Sequence, residues 1–161
     1  MLTLYSYPTL FGVADNNGYG LKVFAFLKLA GVPFRQEHIF DASKAPRSHA
    51  LLREHPSLTE EGLAKAQAFN SQRYYYQGIG RYHPDAAMAR GLADLGALAD
   101  LIPSRGYVHG EKPTSVDAGI YGFIANIYFY DIDMPLKQFV TAHDNIVRHC
   151  RAIHEAVSGT T

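Results

Sequence analysis

The sequence predicts a two-layer α+β fold, in which a short βαβ unit at the N-terminus is followed by an all-α helical bundle. Two strand-like alternations, at residues 2–7 and 34–39, flank a segment of helical composition at 21–30. From residue 57 onward every remaining signal is helical. Two of these helices carry one-sided apolar stripes, which must be buried against another element.

The N-terminal elements follow from local patterns. Apolar and polar residues alternate over 2–7, which is typical of a strand in a sheet. A turn-rich loop containing Asp15-Asn16-Asn17-Gly18 leads to the helix, and Gly31 is placed to cap its C-terminal end. The second strand, at 34–39, completes a strand, helix, strand unit. Sequence rules make its two strands parallel, with a right-handed crossover.

The rest of the chain is predicted to be an all-α domain over 48–161, after an N-terminal part over 1–47. Its expected segments are 57–70, a short aromatic segment around Tyr74, 84–102, 115–128 and 145–157. Two helices carry stripes at helical spacing: Met88, Leu92, Leu95, Leu98 and Ile102 in one, and Ile146, Cys150, Ile153 and Val157 in the other. Both helices are therefore expected to be core members of one bundle.

Composition and charge are those of an ordinary soluble globular protein. Of the 161 residues, 47% are hydrophobic and 19% are charged. Lys plus Arg equals Asp plus Glu, at 15 each, so no net charge attracts nucleic acid or anionic lipid, and neither partner is expected. No apolar run approaches the roughly 18 residues of a spanning helix. The single Cys150 and the absence of a signal-peptide pattern predict a cytoplasmic protein.

Common catalytic and metal motifs are absent from the sequence. The eight histidines form no helical His-x-x-x-His pair and join no cysteine pair, so no metal site is predicted. Cys150 lies on an apolar stripe, where a thiol is usually inert. The chain has no Gly-x-Ser-x-Gly elbow, and Gly78-Ile79-Gly80 lacks the strand-to-helix context of a dinucleotide-binding loop.

A helix start at residue 115 carries the most specific motif. Thr114 is placed to cap the backbone while Asp117, three residues on, reaches back in a capping box. With Gly110 upstream and Ala118-Gly-Ile-Tyr-Gly-Phe123 downstream, this run resembles the Gly-x-x-x-Thr/Ser-x-x-Asp motif in the C-terminal domain of glutathione S-transferases. The resemblance implies that this helix is the central buried helix of the domain.

Further matches resemble the failed-axon-connections/metaxin-like branch of that superfamily. They comprise 123–126, Pro135-Leu136, His143-x-Asn145 and the final Cys150 helix, and at the front Leu4-Tyr5, 17–23 and 30–34. The resemblance implies that the βαβ start is an incomplete thioredoxin-like domain. Family members continue with a cis-proline turn, a β-hairpin and a Glu/Asp-Ser pair, which grip the glutathione backbone and its γ-glutamyl end. None of these is present in this sequence.

The resemblance implies a detoxification enzyme that conjugates glutathione, as co-substrate, to a small apolar electrophile or reduces that electrophile. It also implies a homodimer. The alternative is a non-catalytic, metaxin-like interaction module, which the missing glutathione-gripping segment favours.

Catalytic candidates lie near the start of the first helix. The positive end of a helix dipole favours an anion such as the glutathione thiolate. The resemblance places Asn17 where relatives have Ser, Cys or Tyr facing the sulfur. Tyr7 and Tyr19 are alternative donors, and Tyr19 and Lys22 are the candidates for binding glutathione. The alternative is that Asn16-Asn17-Gly18 only caps the helix, that the tyrosines only pack and that Lys22 is solvated.

Candidates for the electrophile pocket are Phe11, Arg73 and Tyr76. The segment 73–82 combines arginines with aromatic residues, and the resemblance implies that it borders the pocket between the two domains. Packing of these tyrosines within the bundle is the alternative.

Overall fold

The computed structural model describes residues 1–38 and 60–159. Within these ranges the elements are β1 Leu2–Ser6, α1 Gly18–Leu29, β2 Phe34–His38, α2 Glu60–Gln77, α3 Pro84–Leu101, α4 Ser115–Tyr128, α5 Pro135–Thr141 and α6 Asp144–Ser158. A 3-10 turn, Ile79–Arg81, lies between α2 and α3. No helix in these two ranges is both long and apolar enough to cross a bilayer.

The chain divides into two compact units. The first joins Met1–Ile39 to Leu92–Thr161, and the second is Phe40–Gly91, so the division falls inside α3. The predicted domain boundary between residues 47 and 48 lies outside the described residues and stays a prediction.

The predicted βαβ start is confirmed. β1 and β2 pair in parallel, in a register that runs from Leu2 opposite Phe34 to Ser6 opposite His38. The Gln36 side chain ties the pair to the following loop, because its Nε2 donates to Ser6 Oγ at 2.8 Å and to the Ala14 carbonyl at 3.1 Å. β2 therefore fixes both the end of β1 and the loop that leads into α1.

Helix α1 ends as the sequence predicts. Gly31 has a φ of 64°, in the left-handed region that glycine adopts without strain. Its N–H donates to the Lys28 carbonyl at 3.1 Å, and the N–H of Val32 donates to the Leu27 carbonyl at 3.0 Å. This pair of bonds is a Schellman motif, which satisfies the last carbonyl groups of the helix.

Helix α4 is buried at the centre of the first unit, as predicted. It packs against α1, α5 and α6, and its buried residues include Ala118, Tyr121, Ile124 and Ala125. The helices α1 and α4 approach closely because Gly122 has no side chain. A Cβ at Gly122 would lie 2.6 Å from the Gly18 carbonyl oxygen and 2.7 Å from the Lys22 backbone nitrogen.

The predicted α6 stripe faces the core of the first unit, and the α3 stripe does so only at its C-terminal end. The α6 stripe is fully buried at Ile146, Cys150, Ile153 and Val157. In α3, Leu95 is buried and Leu98 packs against the core cluster from the side, and Ile102, directly after the helix, is also buried. Leu92 is not part of this cluster, and Met88 belongs to the second unit.

One prediction about a helix limit was wrong, and one helix was not predicted. The predicted end of a helix at Asn70 is not observed, since α2 runs on to Gln77 and stops where Gly78 has a φ of 98°. No glycine or proline interrupts the sequence between 63 and 77, so nothing breaks the helix earlier. Helix α5, Pro135–Thr141, was not predicted, because a helix of seven residues is too short to show a periodic stripe.

Candidate functional site

The candidate site lies at the N-terminus of α1, which follows a tight loop after β1. Leu10 and Val13 exchange two backbone hydrogen bonds of 3.1 and 3.0 Å and are both buried. The two residues between them, Phe11 and Gly12, have φ values of 50° and 80°. Positive φ at both central positions is the mark of a type I′ turn, which a phenylalanine adopts only under strain.

Phe11 is held in this conformation by an aromatic neighbour. Its ring centroid lies 4.9 Å from that of Tyr130, beyond the end of α4. The Tyr130 hydroxyl in turn donates to the Asn16 carbonyl at 2.9 Å. The turn is therefore attached to the helical part of the same unit at two points. Phe11 contacts helical-bundle residues there, but its proposed contact with an electrophile stays a prediction.

Asp15 is a buried carboxylate at the first turn of α1. Its Oδ1 accepts the N–H of Asn17 at 2.8 Å, and the side chain is fully buried. Gly20 makes room for it, since a Cβ at that position would lie only 1.9 Å from Asp15 Oδ2. Burial, and then the charge of Asp15, raise the pKa of Tyr130. The Asp15 carboxyl group therefore lies at the positive end of this helix dipole.

Asn17 is the N-cap of α1. Its Oδ1 accepts the N–H of Tyr19 at 3.3 Å, and its backbone is extended. In the described part of the chain its Nδ2 donates no hydrogen bond. The capping alternative for this position is thus observed, while the amide group remains able to donate to a ligand. Asp15 was not among the predicted site residues, although its position two residues before an asparagine cap is typical of an Asx turn.

Tyr19 and Lys22 lie beside Asn17 on the first turn and a half of α1. The Tyr19 ring is 65% exposed, packs edge-on against Phe123 at 5.2 Å, and lies 5.1 Å from the Lys22 ammonium group. The structure therefore brings together three of the residues that the sequence predicted, Asn17, Tyr19 and Lys22. Their role in binding stays a prediction.

Tyr7 differs from these residues because its side chain is buried. Its carbonyl oxygen is 3.1 Å from His38 Nδ1, a nitrogen that also lies 3.2 Å from Ser6 Oγ. The Tyr7 backbone is thus fixed at the end of the sheet, and its catalytic role stays untested.

Arg73 and Tyr76 belong to the second unit. Both are exposed on α2, where Arg73 lies 5.7 Å from the Phe69 ring and Tyr76 packs edge-on against Tyr75 at 5.9 Å. Their assignment to an electrophile pocket stays a prediction.

A second polar centre surrounds Asp117 at the start of α4. Its Oδ1 accepts the Val108 N–H at 3.0 Å and lies 2.9 Å from His149 Nε2, while its Oδ2 accepts the Thr114 N–H at 2.7 Å and the Thr114 hydroxyl at 2.8 Å. Burial alone would raise the pKa of Asp117, but the hydrogen bonds from Val108, His149 and Thr114 outweigh it and lower the pKa to about 2.

This centre is built from side chains that are sealed from solvent. Asp117 is fully buried and His149 is 1% exposed, so the pair acts on the fold and not on a ligand. Asp117 was predicted as a capping residue, whereas His149 was not predicted. The signal was available, because 149 is three residues after Ile146 and four before Ile153, on the buried stripe of α6.

Two other predictions concern the Cys150 thiol and a metal site. Burial raises the pKa of the Cys150 thiol to about 12, so little thiolate forms near neutral pH. Among the residues that the structure describes, no three His, Cys, Asp or Glu side chains are grouped to hold a metal ion.

Comparison with known proteins supports the family resemblance in the helical part. Residues 91–153 match the family model of the glutathione S-transferase C-terminal domain, which covers α4, α5 and most of α3 and α6. Comparison with the curated proteins and with the solved structures gives no match. The match covers less than half of the chain, and it shows that the segment 91–153 is similar to the glutathione S-transferase C-terminal domain.

The fold agrees with this assignment. Two parallel strands with a helix between them precede an all-helical bundle of the glutathione S-transferase C-terminal type.

Proposed function

We propose that the protein binds glutathione at the N-terminus of α1 and conjugates it, through its sulfur, to a small apolar electrophile, as a homodimer of the cytoplasm. The observation that carries this proposal is the grouping of Asn17, Tyr19 and Lys22 at an exposed helix start, in a chain whose residues 91–153 match the glutathione S-transferase C-terminal domain.

The roles follow from the chemistry of the thiolate. Asn17 Nδ2 donates a hydrogen bond to the sulfur and lowers the thiol pKa, but an amide is no nucleophile. The thiolate attacks the electrophilic carbon, a carbon–sulfur bond forms, and a leaving group such as halide departs with the electron pair. Lys22 pairs with a glutathione carboxylate.

The test uses the full chain with glutathione and a model aryl halide. Asn17→Asp keeps the oxygen that caps the helix and removes the Nδ2 donor, so we expect glutathione conjugation to fall about tenfold or more while the fold stays intact. Lys22→Gln should raise the KM for glutathione with little change in kcat. Lys112→Gln, at an exposed position outside this site, is the matched control.

Absence of both glutathione binding by calorimetry and aryl halide conjugation would overturn the proposal. Conjugation at the wild-type rate by Asn17→Asp would remove Asn17 from the mechanism. Light scattering that shows a monomer would remove the proposed dimer.

A second candidate is the non-catalytic interaction module of the metaxin-like type. The buried Asp15 favours it, because its carboxyl group already occupies the start of α1 and accepts the N–H of Asn17 there.

The ultraviolet absorbance of the glutathione thiolate distinguishes the two candidates. A transferase lowers the thiol pKa of bound glutathione below that of free glutathione. The interaction module leaves this pKa unchanged at every protein concentration, and any measurable lowering would count against it.

A further inference from the structure

The rings of Tyr19, on α1, and Phe123, on α4, form an aromatic corner beside the N-cap of α1. Their centroids lie 5.2 Å apart and their planes are inclined at 85°, so the two rings meet almost at a right angle. Tyr19 is 65% exposed and Phe123 is 43% exposed. The aromatic corner is therefore an apolar surface that a ligand can reach from solvent.

Gly18 allows the Phe123 ring to lie against the start of α1. A Cβ at Gly18 would lie 2.8 Å from Phe123 Cδ1 and 3.1 Å from Phe123 Cε1, which is closer than a side chain there allows. Glycine therefore lets the ring pack directly on the helix backbone. Since Gly18 follows Asn17 in the chain, a molecule on the aromatic corner would lie next to the sulfur that Asn17 is proposed to hold.

Two perpendicular rings favour a third ring over an apolar body of another shape. Aromatic rings attract each other in offset stacks and in edge-to-face pairs, and a flat ring in this corner can make both contacts at once. A puckered saturated ring of similar size gains only the burial of apolar surface. The Lys22 ammonium group lies 5.1 Å from the Tyr19 ring centroid and disfavours a cationic ligand by like-charge repulsion. The aromatic corner therefore fits a neutral, flat, aromatic molecule.

The residues predicted for the electrophile pocket do not form this corner. Phe11 packs on Tyr130, with ring centroids 4.9 Å apart, and Arg73 and Tyr76 belong to the second unit. Phe123 was not among them, because its position beside Tyr19 depends on the close approach of α1 and α4. The alternative role of the two rings is packing alone, which would hold the first turn of α1 on α4 without any ligand.

We propose that the aromatic corner binds the ring of an aromatic electrophile, and that Phe123 makes the protein prefer such electrophiles to aliphatic ones. This inference rests on the proposed function for its reaction, in which the glutathione thiolate forms a carbon–sulfur bond at the ring carbon and halide leaves with the electron pair. Binding of a flat ring to the corner needs no glutathione, so it can be measured apart from the reaction.

Nitrobenzene and nitrocyclohexane are matched probes of the corner, since they carry the same nitro group on a flat and on a puckered ring. Each is titrated into the full chain, and the amide signals of Gly18, Tyr19 and Phe123 are followed by NMR. We expect nitrobenzene at millimolar concentration to shift all three signals and to give nuclear Overhauser effects to the Phe123 ring. Nitrocyclohexane should bind about fivefold more weakly.

Variants of the two rings distinguish ligand binding from packing alone. Phe123→Leu keeps an apolar side chain but removes the ring, so it should weaken nitrobenzene binding about fivefold and leave nitrocyclohexane binding unchanged. Phe26→Leu is the matched control, because Phe26 is 45% exposed on α1 and lies about 12 Å along the helix from Gly18. It should bind both probes like the wild type. Tyr19→Leu is a second variant, at a more exposed side chain, and should weaken nitrobenzene binding to a similar extent.

Kinetics with glutathione then test the preference for aromatic electrophiles. With chlorodinitrobenzene, Phe123→Leu should raise the KM for the aryl halide about fivefold, while the KM for glutathione and the rate with the aliphatic iodoacetamide stay unchanged. If glutathione does not bind but nitrobenzene shifts the three signals, the proposed function fails and the ring-binding site stands. The inference is overturned if nitrobenzene shifts none of the three signals, if nitrocyclohexane binds as tightly, or if Phe123→Leu binds nitrobenzene like the wild type.

Discussion

The helices α1 and α4 lie against each other, and both begin beside a buried aspartate. In α4 that aspartate, Asp117, lies inside the first turn and receives hydrogen bonds from Val108, Thr114 and His149. In α1 the aspartate, Asp15, precedes the cap and accepts the N–H of Asn17. The start of α4 is covered by α6, whereas the start of α1 leaves Tyr19 exposed and Lys22 partly exposed.

The difference shows that a buried aspartate stabilises the bundle at the start of α4, whereas at the start of α1 it leaves polar groups accessible to a ligand. At α4 the buried Asp117 accepts hydrogen bonds from Val108 and Thr114 and contacts His149, so the site holds the bundle together. At α1 the cap is completed by Asn17 Oδ1, and its Nδ2 together with Lys22 remains available to a ligand. The predictions below test this contrast.

The largest effect is expected at Asp117. Replacing it with alanine leaves the buried His149 and the Val108 N–H without their acceptor, so Asp117→Ala should lower the free energy of unfolding by about 3–5 kcal/mol. The measurement is urea denaturation. Asp144→Ala, at an exposed acid in the first turn of α6, is the control and should cost less than about 1 kcal/mol. Equal losses in the two variants would show that α4 does not depend on its buried cap.

The buried Asp117 should also make the stability of the fold depend on pH. The pKa of Asp117 is lowered from 3.8 to about 2, so the folded state binds this proton less readily than the unfolded state. The stabilisation is complete above pH 4 and is lost as pH falls through 2, by on the order of 2 kcal/mol. Asp117→Asn should lack this part of the acid dependence in urea titrations at pH 2–5. An unchanged acid limb in the variant would contradict the assignment.

Two alanine substitutions in α4 test its contact with α1. Their effects on stability should be smaller than that of Asp117→Ala and opposite in sign. Gly122→Ala forces a methyl group against the Gly18 carbonyl and should destabilise by about 1–3 kcal/mol. Gly119→Ala, on the same helix with nothing within 4 Å of its added Cβ, should stabilise by about 0.5–1 kcal/mol through helix propensity. Thermal unfolding of both variants checks the pair. Two shifts of the same sign would be inconsistent with the close approach.

The smallest effect on stability is expected at Asn17. Two substitutions there distinguish the capping of α1 from the proposed role of the side chain in catalysis. Asn17→Ala removes the cap oxygen and should lower the free energy of unfolding by about 1 kcal/mol. Asn17→Asp keeps that oxygen and should be within about 0.5 kcal/mol of the wild type. Guanidinium denaturation measures both. If the two variants are equally destabilised, the side chain does more in the folded state than cap α1.

Much of the fold was predictable because its signals are local. The Leu2 strand, the Gly31 cap, the Thr114–Asp117 start and the α6 stripe all follow from patterns that repeat within two or three helical turns. Helix α5 and the full length of α2 were missed, since a short helix has no period and a polar helix has no apolar stripe.

The candidate site was only partly predictable. Asn17, Tyr19 and Lys22 are neighbours on one helix, so their grouping could be expected from sequence. Asp15 against Gly20 depends on how the loop folds back on α1, and His149 against Asp117 joins residues that are far apart in the chain. Contacts of this kind have no local signature.

By itself the sequence determined the βαβ start, the buried stripes and the capped central helix, because backbone geometry and burial impose periods and caps that can be seen over short spans. Tertiary structure alone decided that Asp117 meets His149, that a carboxylate occupies the start of α1, and that the Phe123 ring lies against Gly18. These depend on which side chains meet when distant segments pack, and the close approach at Gly18 and Gly122 sets that packing.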